Sequence, residues 1–151
     1  MSSSPGSEEE IRRLLAAYEQ YQVQAEGISH QLGLAQIAAQ GLERALGAVE
    51  ALEEAEVDQE ILVPIGSGSF IHGKLASKEN VVLNVGGGVS IEKSPAEAKE
   101  ILKLRKNEVL EGSKKLSEIL AKIDQEMQKI QGMMQQYESR FGGGQESEGV
   151  V

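Results

Sequence analysis

Two long stretches of this chain repeat their apolar residues at alternating steps of three and four, and a short stretch between them does not. From Ile11 to about Leu52 the a positions of a heptad are Ile11, Tyr18, Ala25, Leu32, Ala39 and Leu46. The d positions are Leu14, Tyr21, Ile28, Ala35, Leu42 and Val49. Every one is apolar or aromatic, a strictness that marks a coiled-coil seam rather than the broader face of a globular helix. Gly27, Gly33, Gly41 and Gly47 fall outside the seam. There each costs about 1 kcal/mol of helix stability relative to Ala without breaking the stripe.

A second helix is expected to open at Ser94-Pro95-Ala96-Glu97. Ser can cap, Pro suits the first helical position, and a Glu three residues after the Ser can close a capping box. Leu116, Leu120, Ile123, Met127, Ile130, Met134, Tyr137 and Phe141 then form a second seam. Nearer the cap Leu102 and Val109 hold the phase, while Lys106 and Ser113 occupy the positions between.

Between the helices the period changes. Ile61 to Ile65, Phe70 to Leu75, Val81 to Val85 and Val89 to Ile91 are short and mostly β-branched, separated by Gly66-Ser67-Gly68-Ser69, Ser77-Lys78-Glu79-Asn80 and Gly86-Gly87-Gly88. Four strands in two hairpins follow. Pro64 cannot donate to a ladder, so the first strand should lie at an edge or carry a bulge there.

The expected fold is therefore α+β, mainly α: a long antiparallel two-helix coiled coil with two β-hairpins between the helices. Residues 1–10 and 142–151 read as disordered tails flanking a single elongated unit, 11–141, made of a helix at 11–58, hairpins at 59–93 and a helix at 94–141. An isolated two-hairpin sheet has exposed edges and little core. The strand residues Ile61, Val63, Ile65, Phe70, Val81, Leu83, Val85 and Ile91 are accordingly expected to join strands of other subunits in a closed, barrel-like platform.

Composition narrows the function. Apolar residues make up 40% of the chain but aromatics only 3%, which suits a helix seam better than the bulky core of a compact enzyme. A formal charge of −9 argues against binding nucleic acid through phosphates. There is no Cys to form a disulfide, a thiol nucleophile or a Cys-based metal site. The longest apolar run, Leu14 to Tyr18, is too short for a membrane span, and the opening residues lack the order of a signal peptide. A soluble, intracellular protein is expected.

No catalytic constellation emerges. Gly68-Ser69-Phe70-Ile71-His72-Gly73-Lys74-Leu75 satisfies G-x-x-x-x-G-K, but Leu75 stands where a phosphate loop needs Ser or Thr, and no helix is expected after it. The Gly86 to Gly88 run reads as a hairpin turn. His30 at an outward heptad position and His72 in a strand form no metal or acid-base pattern, and the acids Glu8 to Glu10, Glu53, Glu54 and Glu56 read as solvated charge. The expectation is no enzyme, no cofactor and no metal.

Taken in order, helix, two hairpins and helix, with Ile61-Leu62-Val63-Pro64-Ile65-Gly66-Ser67-Gly68-Ser69-Phe70 and Val85-Gly86-Gly87-Gly88-Val89-Ser90-Ile91-Glu92-Lys93, the chain resembles prefoldin, in its archaeal alpha class. The resemblance covers about 11–141. It implies a cytoplasmic hexamer of two alpha and four beta subunits, whose double β-barrel body carries six coiled coils. Their tips hold unfolded client proteins and pass them to a group II chaperonin without ATP. The residues near the free helix ends, Ile11, Leu14, Leu15 and Tyr18 on one side and Met133, Met134, Tyr137 and Phe141 on the other, are the candidate client contacts. Ordinary seam packing is the competing role for each of them. Helix ends fray, and Met supplies an adaptable surface. A scaffold or filament without client binding is the alternative.

Overall fold

The computed structural model describes residues 5–142, with side chains from 7 to 140. Its elements run α1 (Pro5–Glu54), β1 (Glu60–Gly66), β2 (Ser69–Lys74), β3 (Val81–Gly86), β4 (Val89–Lys93) and α2 (Pro95–Gly142). Two long helices thus flank two separate antiparallel strand pairs, β1 with β2 and β3 with β4.

Both helices obey the heptad. All twelve a and d positions of α1 are half-buried or buried, and so are Leu116, Leu120, Ile123, Met127, Ile130, Met134 and Tyr137 on α2. Lys106 and Ser113 also occupy half-buried seam positions. The start of α1 corrects an expectation: it begins at Pro5, inside the stretch read as tail. Proline is preorganised for a first helical turn, and Glu8 in that turn complements the positive end of the helix dipole. Residues 1–4 and 143–151 lie outside the described residues.

The end of α1 also comes early, at Glu54 rather than 58. The Ala55 amide donates to the Leu52 carbonyl at 3.2 Å, a tightened last turn, and Asp58 then adopts φ 70°, a left-handed conformation that Asp tolerates. From there the Asp58 amide donates to the Leu75 carbonyl at 2.8 Å and the Leu75 amide to the Gln59 carbonyl at 3.0 Å, lengthening the first hairpin. The α2 cap is as expected: the Glu97 amide donates to Ser94 Oγ at 3.3 Å.

The chain divides into two compact units. One holds α1 through Leu34 with α2 from Gly112; the other holds α1 from Ala35, both hairpins and α2 through Glu111. In the first unit Glu10 meets Tyr137 and Tyr18 meets Gln131, so the helix segments run antiparallel, with Ile123 and Ile130 buried between them. In the second, Glu43 pairs with Lys106 and Glu53 with Lys99, again antiparallel.

The core of the second unit is Leu46 and Val49 from α1, Leu83 from β3, and Ala98 and Leu102 from α2, with Val81, Ile91 and Ile101 packed around them. Glu53 ties its edges together. Its carbonyl, at the end of α1, accepts from Lys78 Nζ at 3.1 Å, and its carboxylate pairs with Lys99 at 2.8 Å. The hydrogen bond to Glu53 holds the Lys99 ammonium above its ordinary pKa, against a smaller opposing effect of desolvation.

Candidate functional site

Each hairpin closes through two residues at positive φ, Ser67 (51°) with Gly68 (71°), and Gly87 (61°) with Gly88 (76°). This is the backbone twist that two-residue hairpin turns require. Each also carries an extra residue before its turn, Ile65 between Pro64 and Gly66 and Val85 between Asn84 and Gly86. The bulge anticipated at Pro64 follows it directly. Residues facing each other across a pair share a side of the sheet. In the second hairpin Val81, Leu83 and Ile91 form the inner face and lie on the helices of their own chain. Leu83 is only 7% exposed, so these three residues have an intramolecular role that the assembly expectation did not foresee.

The first hairpin is different, because it is apolar on both faces. Ile61, Val63 and Ile71 share one face with Gly73, whose missing Cβ leaves room for Val63 and Ile61, at 3.4 and 3.7 Å from where that atom would sit. Leu62, Pro64 and Phe70 share the other face with His72. Leu62 is 60%, Ile65 61% and Phe70 56% exposed, values normally found for polar side chains. A mostly apolar recess of about 450 Å³ lies beside this hairpin, lined by Ala48, Ala51 and Leu52 of α1 and by Ala55 just beyond it, together with Gln59, Ile61, Leu62 and Leu75. Leu62 and Ile71 were not among the expected assembly residues. The unbroken apolar run from Ile61 to Ile65 and the adjacent pair Phe70-Ile71, which place apolar side chains on both faces of a hairpin, were the available signal.

At the free end of the first unit Ile11, Leu14, Tyr18, Met134 and Tyr137 are half-buried in the seam, whereas Leu15 and Met133 are 46% and 48% exposed. The side chain of Phe141 lies outside the described residues. Leu14 and Met133 line a recess of about 240 Å³ with Glu10, Gln136, Tyr137 and Arg140. The Tyr137 hydroxyl donates to the Glu10 carboxylate, and Gln131 Nε2 donates to the Tyr18 hydroxyl at 2.9 Å. Glu10, read from sequence as solvated charge, has a specific partner here, and Gln131 was not singled out by sequence pattern.

The bond to Glu10, with desolvation acting in the same sense and Arg140 against it, raises the Tyr137 pKa above its ordinary value of 10.0. The neutral phenol is therefore the favoured folded form, and its contribution is present below pH 10 and lost as pH rises through the higher folded value. Tyrosinate absorbance of the wild type minus that of Tyr137→Phe should show a transition above pH 10. In the Glu10→Gln background the same difference should move back toward 10; an unmoved transition would dissociate Glu10 from the shift.

The phosphate-loop near-match is built as a strand: Ser69 to Lys74 is β2, Lys74 lies opposite Glu60, and 75–80 are irregular. Among the described residues no three His, Asp or Glu side chains are grouped to hold a metal ion, and no helix is long and apolar enough to cross a membrane.

Known proteins share this arrangement. The family model for prefoldin subunits matches residues 21–139. The prefoldin subunit alpha of Methanothrix thermoacetophila is 52% identical over 118 residues, 78% of this chain and 77% of that protein. That of Methanococcoides burtonii is 34% identical over 85% of this chain and 93% of its own length. A filamentous PFD from Methanocaldococcus jannaschii, solved by cryo-EM, superposes with a TM-score of 0.67 over 78% of this chain and 97% of its own, at 22% identity, and so shares the fold. With the helices, both hairpins and these relatives in agreement, the chain belongs to the prefoldin family of chaperone subunits, in its archaeal alpha class.

Proposed function

We propose that this subunit works in an ATP-independent holdase, a cytoplasmic complex of two alpha and four beta subunits that captures unfolded proteins at its helix ends and passes them to a group II chaperonin. The first hairpin supports the assembly part: a two-stranded sheet with apolar residues exposed on both faces is unstable alone and gains most by joining strands of beta-class partners. The free end of the first unit supports the capture part. There Leu15 and Met133 stand exposed beside a recess that mixes apolar and charged walls. Several such ends, each gripping weakly, hold a client through avidity and release it easily.

A second reading, a scaffold or filament without clients, is kept in view by the filamentous relative. Aggregation of a chemically unfolded client, followed by light scattering at substoichiometric complex, separates the two. The holdase reading expects suppression without nucleotide, and the same suppression by Lys74→Ala, since β2 offers no helix end to a phosphate. Suppression that requires ATP and disappears in Lys74→Ala would overturn it.

A further inference from the structure

The two tyrosines at the free end do more than fill a seam. A position built for packing alone is served by Leu or Phe, whereas a phenol needs a partner for its hydroxyl. Here each helix supplies one tyrosine and one polar partner: Tyr18 of α1 with Gln131 of α2, and Tyr137 of α2 with Glu10 of α1. The two bonds bracket Ile11, Leu14 and Met134, which are half-buried. Side chains half-buried in this way offer another polypeptide only part of their surface until the helix ends part.

We propose that the reciprocal bonds Tyr137 to Glu10 and Gln131 to Tyr18 form a latch that holds the helix ends together and keeps the bracketed apolar residues from clients, an autoinhibitory contact within the capture site. Its effect on clients rests on the capture reading above; its effect on the helix ends does not. All four side chains are at solvent-accessible positions, so each bond contributes modestly and the latch opens by thermal fluctuation. The second unit is secured differently, by its core of Leu46, Val49, Leu83, Ala98 and Leu102 and by two interhelical ion pairs.

The test is Tyr18→Phe with Tyr137→Phe, singly and together, in the full chain assembled with a beta-class partner. Phe keeps the ring and its packing and removes only the hydroxyl. Amide hydrogen exchange over residues 8–20 and 128–140 should rise roughly two- to five-fold for each bond lost, with residues 42–50 and 98–106 unchanged. The double variant should also bind a fluorescently labelled unfolded client faster than wild type. Pure packing expects unchanged or slower exchange, and that result overturns the latch. Faster exchange with unaltered client binding overturns its inhibitory role. If neither protein binds client at all, the capture reading fails, while the exchange comparison still decides whether the bonds hold the ends together.

Discussion

Deleting residues 1–18 and 134–151 is expected to abolish most client capture while leaving assembly intact. The deletion removes Ile11, Leu14, Leu15, Tyr18, Met134, Tyr137 and Phe141 but spares both hairpins and the buried core of Leu46, Val49, Leu83, Ala98 and Leu102. A large apolar side chain fully buried against a client contributes roughly 1.5–3 kcal/mol, and a multivalent grip multiplies the loss at every helix end. Client aggregation in the presence of shortened complex should therefore approach that of client alone. Full protection by an intact, shortened complex would move the capture surface elsewhere.

The second large effect separates two hairpins that look alike in sequence. Leu83→Ala opens a cavity in the chain's own core and should cost about 2–5 kcal/mol of stability, read as a lower thermal midpoint of the chain. Phe70→Asp and Ile65→Asp change side chains 56% and 61% exposed in the chain, so its own folding should change little. Placed in an inter-subunit sheet, however, the same carboxylates are buried without a partner. These two variants should dissociate the complex, seen as a fall in mass by light scattering, with the helical signal of the chain retained. If Phe70→Asp and Ile65→Asp both keep the wild-type mass, the first hairpin is not the assembly surface.

That contrast shows what the sequence could and could not reveal. The seams were legible because heptad spacing maps directly onto one helix face: Leu32 and Ala39 are half-buried and Leu46 buried where their register puts them. The turns were legible because Gly66, Gly68 and Gly86 to Gly88 permit the positive φ that a tight hairpin needs, although Ser67 adopts it as well. Which hairpin rests on its own helices was not. Val81, Leu83 and Ile91 alternate much as Ile61 and Val63 do, and only the approach of Val49 and Leu102 distinguishes them. The latch was invisible for the same reason, since its partners lie 113 and 127 residues apart and no local pattern links them. At the start of α1 the small and acidic residues read as a tail, although Pro5 and Glu8 suit a first helical turn.

The claim that clients are held at the free helix ends is tested most directly by site-specific photo-crosslinking. A photoreactive residue is placed in turn at Leu15, Met133 and Ile37, and the assembled complex is irradiated with an unfolded client. Ile37 is the informative control, being 67% exposed on the outer face of α1 against 46% for Leu15 and 48% for Met133. If exposure of apolar surface alone decided capture, Ile37 would react best. Capture at the helix ends requires strong client adducts from positions 15 and 133 and little from 37; adducts from 37 with none from 15 or 133 would contradict it.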